Sequence, residues 1–312
     1  MTAYVLRRVL QVIPTLVGIT LLVFVVLRLA GDPVQAYLGA DNSEITQVSE
    51  AQLAAIREQL GLDDPLVIQY VKHVGNMLRG DFGSSFIYQG RPALELLRER
   101  LPATATMAFA ALAVAVLISL PLGIIAALNR NRPADTFANF FSVLGDAMPN
   151  FWLGIMLILL FAVQLRWLPV SGSDGWRNVI LPALTLGTSL AALLTRLMRN
   201  SLLDVLNLDY IRTAHAKGLR PVTVLFRHAL RNAVLSYVTM LGLAVPGLLG
   251  GSVITERIFA WPGVGSLFIS ALSGRDMAII QAVVVFSSLL VILSNLLVDI
   301  LYTVIDPRIQ YR

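Results

Sequence analysis

The sequence predicts an all-α integral membrane protein with six transmembrane helices, and three observations carry that prediction. Of 312 residues, 56% are hydrophobic and only 14% charged, against roughly 25% charged in soluble domains; the mean hydropathy is +0.74. Six windows contain no Asp, Glu, Lys or Arg and approach the roughly 20 residues a helix needs to cross hydrocarbon: 9–27, 103–128, 147–165, 178–195, 232–255 and 277–298. Lysine and arginine then concentrate on alternate connecting segments, as they do in membrane proteins.

The first window follows Arg7-Arg8 and could pass for a secretory signal. Its apolar run is longer than an ordinary signal core and no clean small-residue cleavage site follows, so it is expected to stay as the first helix. The long segment after it should carry an amphipathic helix over Ser49–Leu60, a turn at Gly61-Leu-Asp-Asp-Pro65 and a second helix over Leu66–Leu78, together a small lid or collar. Window 178–195 holds Pro182, Gly187 and several hydroxyls, and it is the one that could instead be a buried soluble helix.

With the N-terminus in the cytoplasm, the inner segments hold Arg7, Arg8, Arg130, Arg132, the basic group from Arg196 to Arg231, Arg308 and Arg312. The short outer loops hold only Arg166 with Arg177, and Arg257 with Arg275. Both termini are therefore expected inside, and the long segment 29–101 outside, since long loops translocate regardless of charge. The pI near 9.8 then reflects cytoplasmic loops against anionic lipid. No basic run interleaved with aromatics points to nucleic acid.

Zero cysteines exclude disulfides, thiolate metal sites and a lipoprotein anchor. Catalytic signatures are missing too: no GxSxG, HExxH, strand-following GxGxxG or GxxxxGK[ST] occurs. His73, His215 and His228 fall on different segments and form no common site. Any uphill transport would draw its energy from a partner.

The most informative segment is Asp209-Tyr-Ile-Arg-Thr-Ala-His-Ala-Lys-Gly-Leu219, polar and basic between two apolar spans. Tyr210–Lys217 reads as a short helix, Gly218 as its left-handed C-cap, and Pro221 as the opening of a second short helix. Small Ala214 and Ala216 would let the elbow enter a partner's groove. Arg212, Lys217, Arg220, Arg227 and Arg231 would keep it cytoplasmic. This is how a soluble motor could grip a membrane domain.

The run from Asp209 through Asn232 resembles the signature cytoplasmic loop of ABC-importer permeases, and more narrowly the B-type membrane subunit of the dipeptide, oligopeptide, glutathione and nickel importers. Gly31-Asp-Pro33, Gly61-Leu-Asp-Asp-Pro65, Gly80-Asp-Phe-Gly83, Trp167-Leu-Pro169, Ile180 through Gly187, Glu256 through Gly265 and the ending Asp306-Pro-Arg-Ile fit the same family in order. Trp167–Trp176 looks most like the glutathione branch. The family commonly has arginine at His215 and proline at Ser236, so a kink expected at the start of the fifth helix should be missing.

The resemblance implies a type I ABC importer permease fold with an extra outer segment after the first helix. Its divisions would be an N-terminal helix (1–30), an external segment (31–101), a five-helix permease core (102–306) with a cytoplasmic coupling loop (199–231), and a cytoplasmic tail (307–312). Implied partners are a homologous C-type permease subunit, two cytoplasmic ABC ATPase subunits holding ATP and Mg, and an external solute-binding protein, all at the bacterial inner membrane. The chain itself would hold no cofactor. The ATPase-coupling residues would be Asp209, Tyr210, Arg212, Thr213, Ala214, His215, Ala216, Lys217, Gly218 and Arg227.

Intramembrane charges are functional candidates. Asp146 could line the inner mouth or pair with Arg199, while Asp299 suits a structural ion pair. Polarity adds Thr185, Ser189, Thr195, Ser236 and Thr239 as pathway candidates, and Gly242, Gly247, Gly250 and Gly251 as close-packing positions. Besides the importer permease for peptides or glutathione, the alternatives are a nickel-type cargo in the same family, an ion-coupled secondary carrier, and an intramembrane enzyme. A carrier should show acidic or histidine relays at mid-membrane and need no docking elbow. No nucleophile and base pair is visible for an enzyme.

Overall fold

A computed structural model describes residues 2–30, 64–85 and 87–305, with side chains at 11–26, 28, 29, 64–85, 87–249 and 252–296. Among these residues the regular elements are helical, apart from an isolated bridge between Ser84 and Pro92. In chain order they are α1 (Thr2–Ala30), α2 (Leu66–Leu78), α3 (Ala93–Leu128), α4 (Pro133–Ala147) and α5 (Asn150–Leu157), which ends in π-turns over Ile158–Gln164. Then come α6 (Trp176–Leu206), α7 (Asp209–Ala216) and α8 (Pro221–Thr223), which runs through π-turns over Val224–Ala229 into α9 (Leu230–Gly251). The last three are α10 (Val253–Ile258), α11 (Val264–Ser273) and α12 (Met277–Ile305). The expected helix at Ser49–Leu60, the motifs Gly31-Asp-Pro33 and Asp306-Pro-Arg-Ile, and the side chains of Gly250, Gly251 and Asp299 lie outside the described residues.

Four stretches are single helices long and apolar enough to span: Ala93–Leu128, Trp176–Leu206, Pro221–Leu249 and Met277–Leu296. The 29-residue α1 carries the apolar stretch Gln11–Val26 in its described side chains. The expected third span, 147–165, is not one straight helix. It starts at Asn150 and meets α4 at 104°, because Pro149 has no N–H to continue a ladder and drives Met148 out of the helical region, to ψ 123°. The fifth span begins at Pro221, well before the expected 232. Proline suits a first helical turn, where its missing N–H would be unpaired anyway. Without proline at 236 this span is still irregular, through its π-turns and the internal Pro246. Leu66–Leu78 forms with the expected bounds.

The chain divides into two compact units. The first comprises residues 1–102 and 262–293. In it, Ala93, Leu96 and Leu97 of α3 share a buried cluster with Val264 and Leu267 of α11 and Ile279, Ala282 and Val283 of α12. Asp276, fully buried, organises the loop beside them: its carboxylate accepts from Ser85 Oγ at 2.5 Å and caps α12 by accepting from the Ile279 N–H at 3.3 Å. Separately, α2 rests on α1. Tyr70 Oη lies 2.9 Å from Thr20 Oγ1, and Phe24 meets the Tyr70 ring at 5.6 Å and the His73 ring at 5.4 Å.

The second unit comprises residues 103–261 and 294–312, and α6 is its axis. Three glycines set the packing distances around it. A Cβ at Gly187 would sit 2.7 Å from the Ala111 carbonyl oxygen, one at Gly145 2.8 Å from Ala192 Cβ, and one at Gly123 2.7 Å from Met198 Cβ. These positions take the close-packing role expected of Gly247, where a Cβ would meet open space. Buried Ala191, Leu194, Met198 and Leu202 of α6 join Ala115 and Ala127 of α3 and Ala233 and Tyr237 of α9 in one cluster.

Candidate coupling site

The polar segment after α6 folds as its spacing predicts, within one residue. Leu208 is extended (φ −77°, ψ 148°), and α7 runs from Asp209, whose carboxylate sits in the first turn where the helix dipole favours it. At the other end, the Gly218 N–H donates to the His215 carbonyl at 2.9 Å and the Leu219 N–H to the Ala214 carbonyl at 3.4 Å. Gly218 has φ +76°. That pair of bonds across a left-handed residue is a Schellman cap, and it leaves the chain extended at Arg220 for Pro221 to restart.

One face of α7 is buried and the other is free. Ile211 (2% exposed) and Ala214 (6%) share a cluster with Leu202 of α6 and with Val224 and Ala229. Ala214 is thus turned into this chain rather than toward a partner's groove; three-residue spacing from Ile211 puts both on the inner face. Arg212, Thr213, His215, Ala216, Lys217 and Gly218 are exposed. Tyr210 ties the helix to the next span, its hydroxyl accepting from Asn232 Nδ2 at 2.7 Å and donating to the His228 carbonyl at 3.3 Å. Arg227 is exposed on the π-turns beside it. The Arg212–Asp209 pair, at 3.2 Å with both side chains mostly exposed, contributes little.

The anchorage of α6, the helix that leads into α7, is less legible in the sequence. Arg199, two turns from the end of α6, grips buried Asp135 of α4 with two of its three guanidinium nitrogens, Nε at 2.5 Å and Nη2 at 2.8 Å. The Asn131 N–H and Asn139 Nδ2 donate to the same carboxylate. Asp135 was not singled out from the sequence, whose clue was an acid two residues after a helix-opening proline. Asp146 pairs with Arg196 at 2.8 Å, not with Arg199, because Asp135 already satisfies the Arg199 fork.

The pathway candidates scatter. Thr185 (0% exposed) and Thr195 (1%) donate back to the carbonyls of Leu181 and Ala191 at 2.8 and 2.7 Å, so their hydroxyls serve their own helix inside the core. Ser189 and Thr239 are half-buried, and Ser236 and Asp146 exposed. Among the described residues no three acidic or imidazole groups gather as a metal site.

Residues 119–311 match the binding-protein-dependent transport system inner membrane component, and residues 1–108 match the N-terminal membrane component of such systems. The chain belongs to this family. The permease is 43% identical over 322 residues to the oligopeptide transport system permease protein AppB of Bacillus subtilis (strain 168), covering all of both chains. It is 42% identical over 313 residues to the glutathione transport system permease protein GsiC of Escherichia coli (strain K12), again covering all of both. In fold it resembles the MetNI methionine ABC transporter in an inward-facing conformation, with TM-score 0.56 and 20% identity over 68% of this chain and 97% of that one. A second likeness is an amino acid ABC transporter, at TM-score 0.52 and 14% identity over 66% of this chain and 92% of that one. The protein is therefore a multi-pass permease component of an ABC importer.

Proposed function

We propose that this permease forms, with a homologous C-type permease subunit, the pathway by which peptides or glutathione delivered by an external solute-binding protein enter the cell. The observation that carries this reading is α7, a short capped helix with its apolar side locked into the chain and its polar side, Asp209 to Lys217, left open. Two cytoplasmic ATPase subunits would grip that side. ATP and Mg belong to them, and the permease contributes conformational work without a covalent step: ATP binding draws two such elbows together and the membrane halves rock between outward and inward access. Peptide-type cargo is supported by the relatives AppB and GsiC, which favour it over nickel. The lysine and arginine pattern supports both termini in the cytoplasm.

Within this reading, 102–306 is the permease core with its coupling loop at 199–231. Ser189, Ser236, Thr239 and Asp146 remain pathway candidates. Reconstitution tests the proposal: with sister permease and two ATPases, hydrolysis should rise when loaded binding protein is added, and uptake should survive collapse of the proton gradient while ATP is maintained. Solute accumulation by the isolated chain under a proton or sodium gradient would replace this reading with a secondary carrier.

A further inference from the structure

α2 presents three distinct sides. Gln69, Tyr70, His73 and Met77 form the seam side: Tyr70 and His73 pack on Phe24 of α1, Gln69 hydrogen-bonds Arg28, and Gln69 and Met77 are buried. At 100° per residue, Val67, Val71, Val74 and Leu78 fall on a second side, and Val67 (74%), Val71 (63%) and Leu78 (84%) are among the most exposed apolar residues described. Lys72 and Asn76, both exposed, form the third side, with Ile68 (46% exposed) between it and the aliphatic one. A helix of about 20 Å with an aliphatic side next to a polar one is built to lie at a boundary between oil and water.

We propose that α2 is an interfacial helix, with Val67, Val71 and Leu78 set into the hydrocarbon edge of the leaflet from which the C-terminal end of α1 emerges. This rests on reading α1 as a membrane-spanning helix. The seam sets the depth: it starts at Arg28, just past the charge-free run 9–27, where Gln69 bonds, passes Phe24 one turn inside, where Tyr70 and His73 pack, and reaches inward through the Tyr70 hydroxyl to Thr20 and the Val17 carbonyl, so α2 sits against the half of α1 nearest that leaflet's surface. The exposed side of α2 then continues the aliphatic surface of α1, where Val17, Leu21 and Val25 are each about half exposed at four-residue spacing. The composition of the α2 face favours lipid over protein. It is wholly aliphatic, whereas the centres of protein interfaces are enriched in Trp, Tyr, Phe, Met and Arg. Lys72 pairs with Asp64 at 2.6 Å, and its flexible stem lets the ammonium reach headgroups from the polar side.

The chain has no native cysteine, so single cysteines carrying a nitroxide can be placed at Val67, Val71, Leu78, Lys72 and Asn76, with Leu21 as the control on α1. In the full-length chain in nanodiscs of phosphatidylethanolamine and phosphatidylglycerol, collision with dissolved oxygen reports lipid and collision with a nickel chelate reports water. The ratio of oxygen to chelate access should be several-fold higher at Val67, Val71 and Leu78 than at Lys72 and Asn76. Equal ratios, or protection of the aliphatic positions from both reagents, overturn the proposal, the latter indicating a protein cover. If aliphatic positions that are lipid-exposed in the chain alone become protected from both on adding sister permease or binding protein, the face is a protein interface and the proposal fails equally. Chelate access at Leu21 would instead overturn the spanning reading of α1.

Discussion

α7 and α2 are both short helices that hang on the rest of the chain by one face, yet their free faces differ in kind. α7 frees Arg212, Thr213, His215 and Lys217, whereas α2 frees Val67, Val71 and Leu78. Exposure alone therefore distinguishes nothing; the chemistry of the exposed side decides between a soluble partner and lipid. Their supports differ as well. α7 stands at the end of α6, which is pinned to α4 by the buried Asp135–Arg199 pair, and its own end is closed by backbone bonds across Gly218. α2 leans on aromatic contacts and hydroxyl hydrogen bonds to a single helix.

The largest expected effect comes from removing the ion pair that pins α6, the helix α7 follows, to α4. Asp135→Ala leaves Arg199 half-buried without its carboxylate, a loss of about 3 kcal/mol, and ATPase co-purification should fall while lipid access at Val71 stays unchanged. A parallel loss at both helices would show that they do not rest on separate supports.

Next is the cap. Gly218→Val forces a β-branched residue into left-handed backbone at a cost of about 1–2 kcal/mol, whereas Gly218→Asn, which tolerates that region, should largely keep coupling. No Cβ clash arises at this position, so equal loss of loaded-binding-protein-stimulated hydrolysis in both variants would locate the defect in a partner's groove instead of the backbone.

A smaller effect belongs to α2. His73 is pushed below the ordinary imidazole value of 6.5 by burial and then by Arg28, and its Nε2 is buried without a hydrogen-bond partner among the described residues. Folding holds this ring neutral, so its contribution is fully present above pH 6.5 and declines as pH falls from there toward the lowered folded value. Because acid lowers the thiolate fraction of every cysteine alike, the readout is a ratio: a cysteine at Met77, under the seam, should gain maleimide reactivity relative to an exposed cysteine at Asn76 as the medium is acidified below 6.5, and His73→Phe should flatten that dependence. An unchanged profile in His73→Phe would remove the ring from the account of the seam.

The smallest effect on the fold is at Arg212. Arg212→Ala should leave thermal stability within about 0.5 kcal/mol. Any loss of ATPase binding then reads directly as a lost contact; unchanged binding would take Arg212 out of the docking face.

Local rules settle the membrane class, the bounds of α2 and the existence of the capped helix, expected at Tyr210–Lys217 and formed one residue earlier at Asp209–Ala216: charge-free length, helical periodicity, and the left-handed backbone that glycine adopts cheaply. The full-length order of motifs pointed equally clearly to the family. Which glycines permit close approach depends on packing, since Gly123, Gly145 and Gly187 matter through what faces them and a Cβ at Gly247 would meet nothing within 4 Å. The same holds for Thr185, turned inward by packing, and for the arginines, where Asp135 claims Arg199 and leaves Arg196 to Asp146. Those outcomes depend on partners far along the chain, 50 residues apart for Asp146 and Arg196 and 64 for Asp135 and Arg199. A periodicity read along one helix carries no information about which side chain arrives opposite it.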